Sequence, residues 1–296
     1  MRVTMTSVPK RADRANEDFT CAGPTAAVLI DGAGIPGAES ICRHGVAWYA
    51  ARLGGCLLSL LSLAQDRGLP ALLAEAIEQV TDDHRDTCDV ADPISPSATV
   101  AVLRLSGGLL EYLVLGDSIL VLDGAGAAPF VVCDPREVII SRSYQPAIEA
   151  AAEGGDERRR LLRDLRANRN RPGGFWLAKD DPRAAAEAIA GSRPISGLTA
   201  AVLLSNGAGR IVDRFRLADW PQVLAVLAAS GPAEIIRQVR EAEARHGVAA
   251  DDATITYCTD LSEAADAARP AVQLMPGPRT ARVPTGSRAT RARRTR

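Results

Sequence analysis

The acidic residues of this chain fall where strands should end. Asp18 closes NED at 16–18, and Asp31 ends the apolar run TAAVLID at 25–31. Asp117 sits in a tight Leu-Gly-Asp-Ser turn, and Asp251 and Asp252 open DDATITY. Hard divalent ions such as Mg²⁺ and Mn²⁺ take oxygen ligands, mainly carboxylates and water. Strand ends that converge on one rim of a sheet can gather such carboxylates. Gly32, directly after Asp31, permits close backbone approach and leaves a carbonyl free as a further ligand. A single strand-terminal Asp is ordinarily a turn cap. The ordered set, with no rival group of His and Cys ligands, favours a metal cluster. The phrase AAVLIDGAG at 26–34 returns as AAVLLSNGAG at 200–209, with Asn206 where the first copy has Asp31.

Other chemistries find less support. GAGIPG at 32–37 matches the dinucleotide-binding glycine pattern, but a helical pattern follows it where that fold needs a second strand. No P-loop and no Gly-x-Ser-x-Gly elbow occurs. The six cysteines show no CxxC pair and there are only three His, so reduced, buried thiols in a cytoplasmic protein are expected. No signal pattern and no uninterrupted apolar run of membrane-spanning length is read, so no membrane partner is expected.

The elements that must position these residues read as follows. Strands are expected at 25–31, 97–105, 108–116, 118–124, 130–134, 198–206 and 252–260. Helices are expected at 38–66, 69–86, 145–169, 182–190, 217–229 and 231–246. Strands in runs followed by helices in runs argue for one α+β domain with helices packed outside the sheets. Apolar residues make up 47% of the chain and aromatics 4%, so the core must be built of Ala, Leu, Val and Ile. The loop NRPGGFW at 170–176 is either a substrate flap presenting Trp176 or a packed connector. The charged helix near 153–169 is either a solvated face or a surface for an acidic or phosphorylated partner.

The domain is assigned to 1–261 and a disordered Ala/Pro/Arg-rich tail to 262–296. From Arg269 on there are eight Arg and no Lys, Asp or Glu, so the formal net charge of −1 leaves −9 on residues 1–268. An acidic body carries a basic tail. The tail reads as solvated, with a weak contact to nucleic acid as the lesser alternative.

Six segments taken in order, RANEDF (14–19), AVLIDGAG (27–34), SATVAVLRL (97–105), LVLGDSILVL (113–122), AVLLSNGAG (201–209) and DDATITY (251–257), resemble the protein phosphatase 2C family, the metal-dependent (PPM) Ser/Thr phosphatases, in their bacterial form. The resemblance implies a four-layer αββα sandwich with the metal site at one rim of the sheets. It makes Asp31 the residue bridging two Mn²⁺ or Mg²⁺ ions and Gly32 a carbonyl ligand. Asp18, or its neighbour Glu17, matches the carboxylate on the second ion, and Asp251 matches an Asp on the first. Asp117 matches an Asp that serves a third ion in bacterial members. Arg14 resembles the residue that holds the substrate phosphate. In the family's mechanism a metal-activated water attacks phosphorus in line.

Two departures stand out. Ala33 replaces a His found in many members, and Asn206 replaces a metal-ligand Asp. Asn keeps an oxygen donor and loses a full charge. Two functions therefore stay open: a metal-dependent hydrolase of phosphoserine, phosphothreonine or a small phosphomonoester in bacterial signalling, and a catalytically weak or inactive regulatory or binding module of the same fold. A monomer is the expected oligomeric state.

Overall fold

The computed structural model describes residues 1–34 and 40–261. The expected tail, 262–296, lies outside the described residues, as does part of the GAGIPG stretch. In chain order the elements are β1 (Arg2–Val8), β2 (Asp18–Ala22), β3 (Ala26–Ala33), α1 (Gly45–Leu63), α2 (Leu69–Asp82), β4 (Ser97–Ser106), β5 (Leu109–Leu115), β6 (Ile119–Gly124) and β7 (Phe130–Val132). They continue with α3 (Arg136–Ala150), α4 (Asp156–Arg166), a 3₁₀ turn (Pro182–Glu187), β8 (Ile189–Pro194), β9 (Leu198–Leu204), α5 (Asn206–Asp213), α6 (Trp220–Ser230), α7 (Pro232–His246) and β10 (Ala253–Thr259). The strands make two antiparallel five-stranded sheets, ordered β1-β10-β9-β6-β7 and β2-β3-β4-β5-β8.

Side-chain alternation sets the layers. On β3, Val28 and Ile30 face α1 and α2, while Ala27 and Leu29 face the other sheet, and all four are fully buried. The sheets meet through Ala101, Leu103, Leu120, Leu122, Ala201 and Leu203. Outside the first sheet, Val121, Val202 and Ile255 pack under α5, α6 and α7. The result is the four-layer αββα sandwich expected from the sequence. Its core is aliphatic, as the scarcity of aromatics requires. By length and composition alone α1 could cross a membrane, with mean hydropathy 1.4 over its window. Here it lays Tyr49, Leu53 and Leu57 on the second sheet and α2.

The structure departs from the sequence expectations at the edges. Strands β1, β2 and β8 are all edge strands. The segment expected to be helical at 182–190 is a 3₁₀ turn followed by β8, all six of whose residues are exposed, so no apolar alternation marks it. The single helix expected at 145–169 is two helices, broken where Gly154 adopts φ +71°. The first helix starts at Gly45 rather than 38. Strand β9 stops at Leu204, and Asn206 begins a helix. In the NRPGGFW loop, Phe175 and Trp176 are buried, and the Asn170 amide N–H donates to the Phe175 carbonyl at 2.8 Å. That loop is a packed connector and not a flap presenting Trp176. All six cysteines are unpaired.

Gly116, which delivers Asp117 to the rim, shows why the turn is written with glycine. Its φ is +75°, and a Cβ there would lie 2.6 Å from Thr99 Cγ2. Gly126 has the same φ with open space around it. Denaturant melts should show Gly126→Ala costing about 1 kcal/mol for backbone strain, and Gly116→Ala costing about 1–3 kcal/mol more from the clash. Equal costs at the two positions would refute this account of the turn.

Candidate metal centre

At one rim of the sandwich Asp18 and Asp31 are register partners on β2 and β3. Neighbouring carboxylates across a strand pair repel, and burial makes this worse. Asp18 is 7% exposed, and its Oδ2 is buried with no hydrogen-bond partner. Burial pushes its pKa to about 6, against the Thr254 and Ser205 hydroxyls, which pull it down, and with Asp252 and Asp251, which push it up. Asp31 is raised well above the usual carboxylate range, first by burial and then by Asp18 and Asp117.

Helix α5 meets this pair with its N-terminus. The Asn206 amide N–H donates to Asp31 Oδ2 at 2.9 Å, where a helix start offers free donors. The Asn206 side-chain Nδ2 donates to Asp117 Oδ2 at 2.7 Å. Burial drives Asp117 to about 6, while the Asn206 amide pulls the other way. Asn206 thus spans two carboxylates. Gly207 must be glycine, because a Cβ there would lie 1.9 Å from the Asp252 carbonyl oxygen.

The last Asp pair divides its work. Asp252 is buried and accepts from the backbone N–H groups of Lys10 (2.7 Å) and Glu17 (3.2 Å), which fixes the β1–β2 connection. Asp251 is more open and is paired with Arg210 at 2.7 Å, and its charge still raises Asp18 and Asp31. Of the two alternatives on β2's approach, Asp18 faces the cluster, while Glu17 is paired with Lys10 Nζ at 2.5 Å. The Glu17 carbonyl accepts from Gly32 N–H at 3.2 Å, and a Cβ on Gly32 would lie 2.4 Å from that oxygen. Arg14 stands exposed on the β1–β2 connection, and no hydrogen bond or ion pair joins its side chain to a described carboxylate. The all-oxygen donor set, the unpartnered Asp18 Oδ2 and the close backbone at Gly32 fit a hard divalent cation.

Four residues near the rim were not singled out from the sequence, although Arg166 and Arg169 lie in the charged stretch left open there as a surface for a phosphorylated partner. The Glu137 carboxyl is pushed to about 7 by burial and by Asp117, against Arg169 and Arg166. Arg166 Nη1, Arg169 Nε and Nη1, and Asn170 Nδ2 are buried donors without partners. With Lys179, Asp180 and Asp181 they line a cavity of about 300 Å³. Arg166 Nη2 also reaches the Gly34 carbonyl, at 3.5 Å. Burial lowers Arg166 to about 10. A buried guanidinium with unused N–H groups is a site for an anion. The only sequence signal was the i,i+3 spacing of Arg166 and Arg169 within a run of arginines.

No protein-family model and no curated protein matches the chain. Solved structures do. A bacterial serine phosphatase aligns with TM-score 0.57 and 12% identity, covering 88% of this chain and 97% of that one. The PPM Ser-Thr phosphatase MsPP from Mycobacterium smegmatis, in complex with cacodylate, aligns with TM-score 0.53 and 16% identity over 87% and 97%. The catalytic domain of the serine/threonine phosphatase PstP, in complex with two manganese ions, aligns with TM-score 0.52 and 16% identity over 86% and 96%. Likeness along nearly the full length of each partner, with the same two sheets and helical layers, establishes that this chain has the fold of the PPM Ser/Thr phosphatases.

Proposed function

We propose that the protein is a metal-dependent phosphomonoester hydrolase acting on phosphoserine or phosphothreonine in a protein. The observation that carries the reading is the buried, mutually repelling set of Asp18, Asp31 and Asp117 at the rim, charges that a cation would stabilise together. Asp31, Asp18, Asp251, Asp117, the Gly32 carbonyl and the Asn206 side-chain oxygen are the groups that would hold Mn²⁺ or Mg²⁺. Two such ions, or three with Asp117's own, would supply water activation and charge neutralisation at phosphate. In this chain the rim residues orient the site, and α5 lends its N-terminal amides to Asp31. For the substrate anion the proposal ranks Arg166 and Arg169 ahead of Arg14, because theirs are the buried unused donors. A cytoplasmic location and a monomer belong to the same proposal.

The amide at 206 supports a second reading. In this structure Asn206 donates to Asp117, so its side chain must turn before its oxygen can serve an ion. That favours weak metal affinity, and a regulatory module that binds phosphoprotein without turning it over. Hydrolysis of p-nitrophenyl phosphate and of a phosphothreonine peptide with Mn²⁺ decides between them. We expect turnover by the native chain, a loss of roughly 100–1,000-fold in Asp31→Ala, and tighter Mn²⁺ binding in Asn206→Asp. Turnover by Asn206→Asp alone would establish the regulatory reading. If neither the native chain nor Asn206→Asp turns over while Mn²⁺ is bound, the catalytic assignment is wrong.

Arg166→Ala should raise KM for the phosphopeptide about tenfold with little change in kcat, the pattern of lost uniform binding. An unchanged KM would remove the guanidinium from substrate recognition.

Metal-free stability should carry the signature of the repelling carboxylates. Asp18 binds its proton near pH 6 in the folded chain and near the ordinary value of 3.8 when unfolded. The stability this contributes is full below the unfolded value and is lost as pH rises through about 6. In chelator, Asp18→Asn should therefore gain on the native chain, by on the order of 1–3 kcal/mol, as pH is raised from about 4 to about 7. Added Mn²⁺ should reverse the advantage. Thermal melts showing a pH-independent difference would argue against a repelling pair.

A further inference from the structure

The sequence scatters its cysteines, but the fold brings two of them together. Cys42 lies just before α1 and Cys88 in the connection after α2, and a backbone bond from Asp89 N–H to the Ile41 carbonyl (3.0 Å) holds the two segments together. His44 completes the group. Its Nδ1 is 3.3 Å from Cys88 Sγ, and one ligand atom from each of the three residues lies within 4.8 Å of the other two. We propose that Cys42, His44 and Cys88 form a zinc-binding site, separate from the carboxylate rim, that ties the start of α1 to the connection after α2.

Three observations support this. The first is geometry. With Zn–S about 2.3 Å and Zn–N about 2.0 Å, ligand atoms around one tetrahedral ion lie roughly 3.3–3.8 Å apart, so the observed group needs only a small contraction. The second is chemistry. Two thiolates and an imidazole select zinc-class ions, whereas Mn²⁺ and Mg²⁺ prefer the oxygen cluster. The third is the surrounding shell. The His44 ring is stacked on Trp48, with centroids 4.4 Å apart, and this fixes its orientation. The buried His84 meets Trp48 edge-on and is itself held by the Val80 carbonyl. The Thr87 hydroxyl lies 3.7 Å from the Cys88 sulfur. Such a donor stabilises a thiolate and orients a metal ligand.

Zinc binding would release the thiol protons to solvent, and no redox step is involved. Three protein ligands leave the fourth position to water. Cys88 and His44 are half-buried, which gives the ion a path in.

The site does not rest on the phosphatase reading, and its test does not measure hydrolysis. The reduced full-length chain, stripped by chelator, is given Zn²⁺ in the presence of excess Mg²⁺, desalted, and its metal content measured. We expect one zinc per chain, retained in Asp31→Ala and in the control Cys21→Ser, and lost in Cys88→Ser and Cys42→Ser. As a check that needs no variant, Co²⁺ added to the native chain should give thiolate-to-metal charge-transfer absorption and the intense visible bands of a tetrahedral site. Zinc retained by both thiol variants, or lost in Asp31→Ala while those variants keep it, would overturn the proposal. So would a native chain that gives no thiolate–cobalt absorption, including one whose Cys42 and Cys88 are found joined as a disulfide.

Discussion

Two carboxylates placed opposite each other on adjacent strands are what the rest of this molecule has to support. The Asp18–Asp31 pair is fixed by the β2–β3 register, so its spacing cannot relax without slipping a strand. A slip by one residue would turn Val28 and Ile30 away from α1 and reverse both faces of β3. The aliphatic layers on either side therefore enforce an arrangement that electrostatics alone would disperse. The rim is also bound together from behind. Asp252 takes two backbone N–H groups of the β1–β2 connection, and the Glu17 carbonyl takes Gly32 N–H. These bonds stitch the first sheet to the second at the point where the acidic groups meet. Strain of this kind, tolerated where the surrounding structure over-determines it, marks a functional site.

Asn206 makes the arrangement tolerable without an ion. A carboxylate in its place would face Asp117 at the distance now bridged by an N–H···O bond of 2.7 Å. The amide turns a repulsion into an attraction, and its backbone N–H does the same for Asp31. The substitution from the Ser-Asp-Gly expected in the phosphatase 2C pattern therefore acts in two directions. It lowers the negative charge available to a cation, and it lowers the repulsion that a cation would have to relieve. A site built this way trades affinity for stability in the metal-free state. The helix that carries Asn206 was illegible in the sequence because it spans eight residues and begins immediately after β9. The apolar strand was plain, but the point where strand geometry gives way to helix is set by tertiary hydrogen bonds to Asp31 and Asp117.

The same division between packed centre and exposed edge explains what else could be read. Strand β3 declares itself because both faces are buried, and its apolar run is continuous. Strand β8 hides because all its side chains are exposed, and only Pro194 and the Arg193 guanidinium over the Phe130 ring (4.1 Å) show how that edge is protected. The Asp residues were legible as strand-end punctuation. Their roles were not: Asp251 and Asp252 are adjacent in sequence, yet one is paired with Arg210 near the rim and the other is a buried anchor for backbone amides. Arg166 and Arg169 read as members of a charged run that could be a solvated face or a surface for an acidic or phosphorylated partner. Their burial without partners is a tertiary feature that the sequence does not mark.

The thiol–imidazole group and the acidic rim share one structural element. Val46, in the first turn of α1, lies so close to β3 that a Cβ on Gly32 would come within 2.6 Å of its Cγ1, and one on Gly34 within 2.1 Å of its Cγ2. The start of α1 is thus pressed directly onto the strand end that bears Asp31. Cys42 and His44 lie within four residues of Val46 on the same approach to the helix. Fixing them to Cys88 holds the helix start against the connection after α2, and so limits how far the Asp31–Gly32 strand end can move. A rim whose charges repel gains most from such a brace, because repulsion is the force that would open it. The two groups of ligands, soft and hard, then serve one requirement: holding a few carboxylates closer together than they would otherwise stay.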